Sequence, residues 1–208
     1  PLQAGLFMVP IMAAAAIGGP VAGYLSNRFG LRGVASLSLV VAAAALMWLA
    51  QSDFHDPGLS VPSALAVLGL TLSIGLTASS IAIMGAVDAS RGGAAGSLEA
   101  TGYELGTGLG ITFFGVFMSN VFSRAMEVPA TIPGDLAAQA TRAIGDTYIV
   151  AGRLDGDQGA ALIAAGKAAF TQTHSVLLTT SAIVITVLAG VVFVALSGHR
   201  PASAATHH

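Results

Sequence analysis

Long apolar stretches, broken by short polar segments, set the pattern of this chain. A membrane helix needs about 20 mostly apolar residues to cross the hydrocarbon, and five stretches meet that length. Residues 4–25 form the first, carrying Pro10 and Pro20 and no charge. Residues 34–50 form the second, with Trp48 near its end as an interfacial anchor. Residues 61–87 and 96–122 form the third and fourth, the fourth holding Glu99 and Glu104, and residues 177–196 form the fifth. The expected fold is therefore all-α and membrane-embedded. Four transmembrane helices occupy residues 1–122, a loop covers 123–173, a last transmembrane helix covers 174–197 and a tail follows from 198 to 208.

The short connections orient these spans. Arg28 and Arg32 lie between the first and second, and Arg91 between the third and fourth. Asp53 and Asp56, without a basic residue, lie between the second and third. Basic loops stay cytoplasmic, so Pro1 is expected outside and the tail with Arg200 inside, the parity that five crossings require.

The 123–173 segment departs from this pattern, mixing Arg124, Arg142, Arg153 and Lys167 with five acidic residues. Long loops are largely exempt from the charge rule, so an outside location is consistent with it. Pro129 and Pro133 open the segment, and Leu136, Ala140, Ile144 and Ile149 follow as an apolar stripe at helical spacing. Residues 152–156 read as a turn and 160–170 as a second amphipathic helix. Two readings stand: an extracellular helical hairpin resting on the outer leaflet, or a solvated connector.

Composition narrows the class. Of 208 residues, 54% are hydrophobic and only 9% charged, against about 25% charged in a soluble domain. That excludes a disordered chain and weighs against a soluble enzyme. A net charge of −2 argues against nucleic acid as a partner. The absence of cysteine removes disulfides and thiolate metal sites. No nucleophile elbow, phosphate-cradling loop or metal-spaced histidine pair is present, so neither an enzyme nor a cofactor is expected. The terminal pair His207 and His208 does not make a metal site.

Two glycine patterns in the fourth span, Gly106-x-Gly108-x-Gly110 and Gly102-x-x-x-Gly106-x-x-x-Gly110, lie in apolar sequence. They read as a helix-packing face rather than a dinucleotide loop. Glu99 and Glu104 are the informative residues, because an ionised group in hydrocarbon is expensive and usually faces a cavity, a partner or an ion path. Five residues apart, they point about 140° away from each other, with Glu104 ~7 Å further along the helix. Glu99 falls on the side of Gly102 and Gly106; Glu104 shares a side with Thr101, Gly108 and Ile111. Glu99 reads either as a carboxylate at a helix N-terminus or as a site for a proton or cation. Glu104 reads either as the partner of a basic residue elsewhere or as such a site.

The first cytoplasmic loop, Gly23-Tyr-Leu-Ser-Asn-Arg-Phe-Gly-Leu-Arg32, carries turn glycines at Gly23 and Gly30. Its Arg28 and Arg32 suit carboxylates or helix C-termini on neighbouring helices. This loop resembles the Gly-x-Leu-x-Asp-Arg-x-Gly-Arg-Arg motif of the major facilitator superfamily, with Asn27 in the acidic position and Leu31 in a basic one. Gly19-Pro20-x-x-Gly23 is also similar to that superfamily, and the opening Pro1–Pro10 segment resembles the start of a late span in fourteen-span drug:proton antiporters. Glu99-x-x-x-Tyr103-Glu104-Leu105-Gly106 resembles the penultimate span of the quaternary-ammonium and methyl-viologen exporters of that group.

The resemblance covers essentially the whole chain, read as spans ten to fourteen of fourteen. It implies most of the carboxy-terminal half of a major facilitator transporter in the bacterial cytoplasmic (inner) membrane, with the amino-terminal half of the same transporter as its partner. The implied function is proton-coupled efflux of small cationic lipophilic compounds such as quaternary ammonium biocides and dyes, powered by the proton gradient. Glu104 would be the proton or cation carboxylate, Glu99 a second acidic site, and Tyr103 a cation-facing aromatic. Two rivals remain: the same fold moving a neutral or anionic substrate, and a non-transporting membrane interaction component.

Overall fold

A computed structural model describes residues 2–54 and 58–198. Asp56, Arg200, His207 and His208, which entered the reading above, lie outside the described residues. Seven α-helices are described: α1 (Leu2–Phe29), α2 (Leu31–Ala50), α3 (Ser60–Gly85), α4 (Gly92–Ala125), α5 (Gly134–Ala140), α6 (Ile144–Ala151) and α7 (Gly156–Ala195). Among the described residues there is no strand. Five helices, α1 to α4 and α7, are long and apolar enough to cross a membrane.

The chain divides into two compact units, Pro1–Leu105 with Thr179–His208, and Gly106–Leu178. In the first, α3 packs along both α1 and α2. The buried positions are mostly small: Ala22, Ala42, Ala43, Ala45, Ala64 and Ala78, with Leu46, Leu49, Leu68 and Ile74 between them. Small residues let helix backbones approach where lipid supplies no hydrophobic drive between helices. Large apolar side chains such as Met12, Ile17, Leu72 and Leu76 face outward instead, as hydrocarbon solvent permits.

The closest approach is between α1 and α3. A methyl group at Gly18 would lie 2.5 Å from Ser73 Cβ, and one at Gly69 would press on the backbone carbonyl of Ile11. Gly75, also in α3, faces Ser38 of α2, whose Oγ would stand 3.1 Å from an added Cβ. At the far end of α2 the Trp48 indole N–H donates to Ser60 Oγ at 2.9 Å, tying the ends of α2 and α3 where the interfacial anchor was expected.

The connection between α1 and α2 is a single residue. Gly30 has φ 84° and ψ 144°, backbone that is essentially restricted to glycine. Both helices run further than expected, to Phe29 and from Leu31, so Arg28 and Arg32 are themselves helical. Gly23, read from sequence as a turn glycine, is inside α1 with open space where a Cβ would be. Gly30→Ala is therefore expected to cost about 1–3 kcal/mol, whereas Gly23→Ala is expected to be neutral or slightly stabilising. Thermal melts of the two detergent-solubilised variants check this, and equal midpoints would contradict it.

The second unit is a packed helical body. Phe122, Met126, Ala140, Val150, Ala151, Leu162 and Ala169 form its core, with Leu136 and Ile144 packed against it. Thr147 is fully buried and donates to the Ala140 carbonyl at 2.8 Å, closing α6 onto the end of α5. Residues of the expected connector thus share a hydrophobic core. The expected single stripe breaks between α5 and α6, where Ala143 is extended at φ −160° and ψ 160°. That break resets the helical phase, so Val150 is buried while Ile149 points outward.

The expected turn after residue 152 is present, but the two helices expected beyond it are one. α7 runs 40 residues without a break, ~60 Å by helical rise and about twice the hydrocarbon thickness.

Candidate functional site

The acidic pair sits on the first unit's part of α4. The helix starts at Gly92, four residues earlier than the apolar pattern indicated, so Glu99 is two turns inside it. Helix-dipole stabilisation falls off within the first turn, which removes the N-terminal reading of Glu99. The start of α4 is seated on α3: Ala95 is buried and an added Cβ at Gly96 would meet Met84 Cε at 3.4 Å. Glu99 continues that face one turn further and is half-buried. Glu104 is exposed, as is Tyr103 at 59%.

The unbroken helix keeps the spacing read from sequence, so the structure does not bring the two carboxylates together. Among the described residues neither makes a hydrogen bond or ion pair. The Thr101 hydroxyl on the Glu104 side is already committed, its Oγ1 donating to the Ser97 carbonyl at 2.8 Å. Glu104 thus presents an unpartnered carboxyl group among the described residues, beside Leu105, Leu109 and Ile111, all at least 60% exposed. Tyr103 lies within about 40° of the Glu99 direction, which places an aromatic face near the half-buried acid. Gly102, Gly106, Gly108 and Gly110 have open space where a Cβ would be, so no described residue packs on the glycine face expected to pair helices.

The loop motif is assembled differently. Arg32 Nε donates to the Phe193 carbonyl at 2.8 Å, and its guanidinium lies 3.7 Å above the Phe193 ring. Phe193 is in the last turn of α7, whose carbonyls lack helical partners and carry the negative end of the dipole. Arg32 therefore meets a helix C-terminus, one of the two roles open to it from sequence. Arg28 is exposed, its guanidinium 5.7 Å from the ring of the adjacent Phe29, and Asn27 is exposed. Phe193 was missed by sequence reasoning because it lies 161 positions from Arg32. Among the described residues no cluster of His, Asp and Glu is arranged to hold a metal ion.

No family model matches the chain. It is 38% identical over 189 residues to the methyl viologen resistance protein SmvA of Salmonella typhimurium, covering 91% of this chain and 38% of that protein. It is 26% identical over 195 residues to the multidrug efflux pump LfrA of Mycolicibacterium smegmatis, covering 94% of this chain and 39% of the pump. A tetracenomycin C resistance and export protein of Streptomyces glaucescens is 28% identical over 121 residues, 58% of this chain and 22% of that protein. The chain thus spans less than two fifths of the length of these curated relatives. With five apolar helices and relatives that are drug-resistance and efflux proteins rather than enzymes, it is a multi-pass membrane protein.

Proposed function

We propose that this chain is the carboxy-terminal part of a proton-coupled multidrug exporter of the major facilitator superfamily, moving cationic lipophilic compounds out of the cell. The observation that carries the reading is Glu104, an exposed carboxylate with no hydrogen-bond or ion-pair partner among the described residues, on a helix long enough to span the bilayer. Such a group attracts a proton or a cation, because an isolated ionised carboxylate in hydrocarbon is costly. The names of the relatives support drug efflux, and methyl viologen is itself an organic cation.

In the proposed cycle, a lipophilic cation binds from the inside and the Glu104 carboxylic acid gives up its proton to the cytoplasmic side. Rocking of the two transporter halves around a midplane site then exposes the pair outside. The cation leaves, a proton from outside returns to the carboxylate, and the reset is driven by the proton gradient without any cofactor. Tyr103 offers a cation–π surface beside Glu99, a contact worth about 2 kcal/mol when desolvated. On this reading the protein lies in a bacterial inner membrane, and the basic α1–α2 connection is on the cytoplasmic side, as the charge rule favours, with the start of this chain outside and its end inside.

The test is efflux of a quaternary ammonium dye by the full-length protein in proteoliposomes. Dye movement is expected to follow an imposed proton gradient and to stop when an ionophore collapses it. Protons and dye are expected to compete. Gradient-driven export of neutral compounds without such competition would instead establish the neutral-substrate rival.

A further inference from the structure

Two apolar grooves flank the amino-terminal half of α2. One, of about 420 Å³, lies among α1, α2 and α3 and is lined by Leu25, Phe29, Gly33, Leu37, Thr71 and Ile74. The other, of about 450 Å³, lies between α2 and α7 and is lined by Gly33, Ser36, Leu37, Thr186, Ala189 and Phe193. Gly33 and Leu37 border both, so the grooves run side by side with Leu37, 63% exposed, as the ridge between them.

Each groove is bordered by an aromatic ring near a guanidinium, Phe29 with Arg28 at 5.7 Å and Phe193 with Arg32 at 3.7 Å. Arg32 spends its Nε hydrogen on the Phe193 carbonyl, which leaves its terminal N–H groups to serve another acceptor. The stretch from Gly23 to Gly33 holds no carboxylate, and among the described residues neither Arg28 nor Arg32 makes an ion pair.

Ser36 adds an independent observation. Its hydroxyl is buried without a hydrogen-bond partner, the residue is only 8% exposed, and it lines the second groove. Buried hydroxyls are rarely left unpaired, so a polar acceptor is wanted there. By helical rise Ser36 lies ~6 Å deeper than Arg32, the order in which a glycerol ester follows a phosphate into a membrane.

We propose that this surface binds one anionic diacyl phospholipid from the leaflet on the side of the α1–α2 connection. The phosphate is held between Arg28 and Arg32, one acyl chain lies in each groove, and Ser36 donates to an ester carbonyl. The site is separate from Glu104 and requires no transport activity.

Native mass spectrometry of the full-length protein tests this with phosphatidylglycerol, phosphatidylcholine of the same chains, and the single-chain lyso-phosphatidylglycerol. Phosphatidylglycerol is expected to be retained about twentyfold over phosphatidylcholine, and Arg28→Gln to reduce that preference about fivefold. Leu37→Trp, which fills the ridge, is expected to reduce retention of both diacyl lipids. Equal retention of the anionic and zwitterionic lipids overturns the proposal, as does an unchanged preference in Arg28→Gln. Lyso-phosphatidylglycerol bound as well as the diacyl lipid overturns the two-groove placement.

Discussion

Replacing Glu104 with Gln in the full-length protein is expected to reduce gradient-driven dye efflux to the leak of protein-free vesicles, with insertion and melting temperature unchanged. The amide keeps the size of the side chain and removes its ability to exchange a proton. Because the Glu104 carboxylate is exposed and makes no hydrogen bond or ion pair among the described residues, no folded-state contact is lost with the charge. Glu104→Asp, which retains the acid on a shorter stem, is expected to recover part of the activity. Glu99→Gln is expected to give a partial loss, since Glu99 is half-buried on the face of α4 that continues from Ala95. Full efflux in Glu104→Gln would move the coupling site to another part of the transporter. No gradient-driven efflux by the native protein, with Glu99→Gln and Glu104→Gln changing neither insertion nor melting temperature, would favour the interaction-component rival.

The second large effect concerns folding. Gly69→Val is expected to destabilise the protein by about 3 kcal/mol, a substantial share of a typical total of about 5–15 kcal/mol. Its side chain would be driven into the backbone of Ile11, and backbone cannot rotate away as a side chain can. Gly75→Ala is expected to cost less, because its neighbour is the movable Ser38 hydroxyl. Gly106→Ala, with open space around it, is expected to be neutral or stabilising by up to about 1 kcal/mol. Melting temperatures of the full-length variants in detergent read all three. A destabilised Gly106→Ala would show that the rest of the transporter packs on this face of α4, as the small-residue spacing implies. An unaffected Gly69→Val would contradict the close α1–α3 crossing.

The spans themselves were legible in the sequence because bilayer thickness sets their length and hydrocarbon excludes charge. Trp48 at the end of α2 and the basic connection at Arg28 and Arg32 could be read for the same reason. What periodicity could not supply was direction. A helix that is apolar all round has no polar face to mark which side is packed, so nothing local told that Gly69 meets Ile11 while Gly106 meets open space. Likewise, the 3.6-residue stripe in the connector placed Leu136, Ala140 and Ile144 on the buried side, but one extended residue at Ala143 was enough to exchange Ile149 for Val150.

The spacing of Glu99, Tyr103 and Glu104, and hence their divergence around α4, was determined by sequence alone once that segment is a helix. Their exposure, the seating of α4 on Met84, and the removal of Glu99 from a helix N-terminus were decided by where α4 begins and what it touches. Arg32 shows the division most clearly. Its charge and place two residues after Gly30 belong to the sequence, whereas its partner, the Phe193 carbonyl, is 161 residues away. Only packing of α7 beside the start of α2 brings that carbonyl within hydrogen-bond reach, because such a contact depends on long-range chain return and leaves no local pattern.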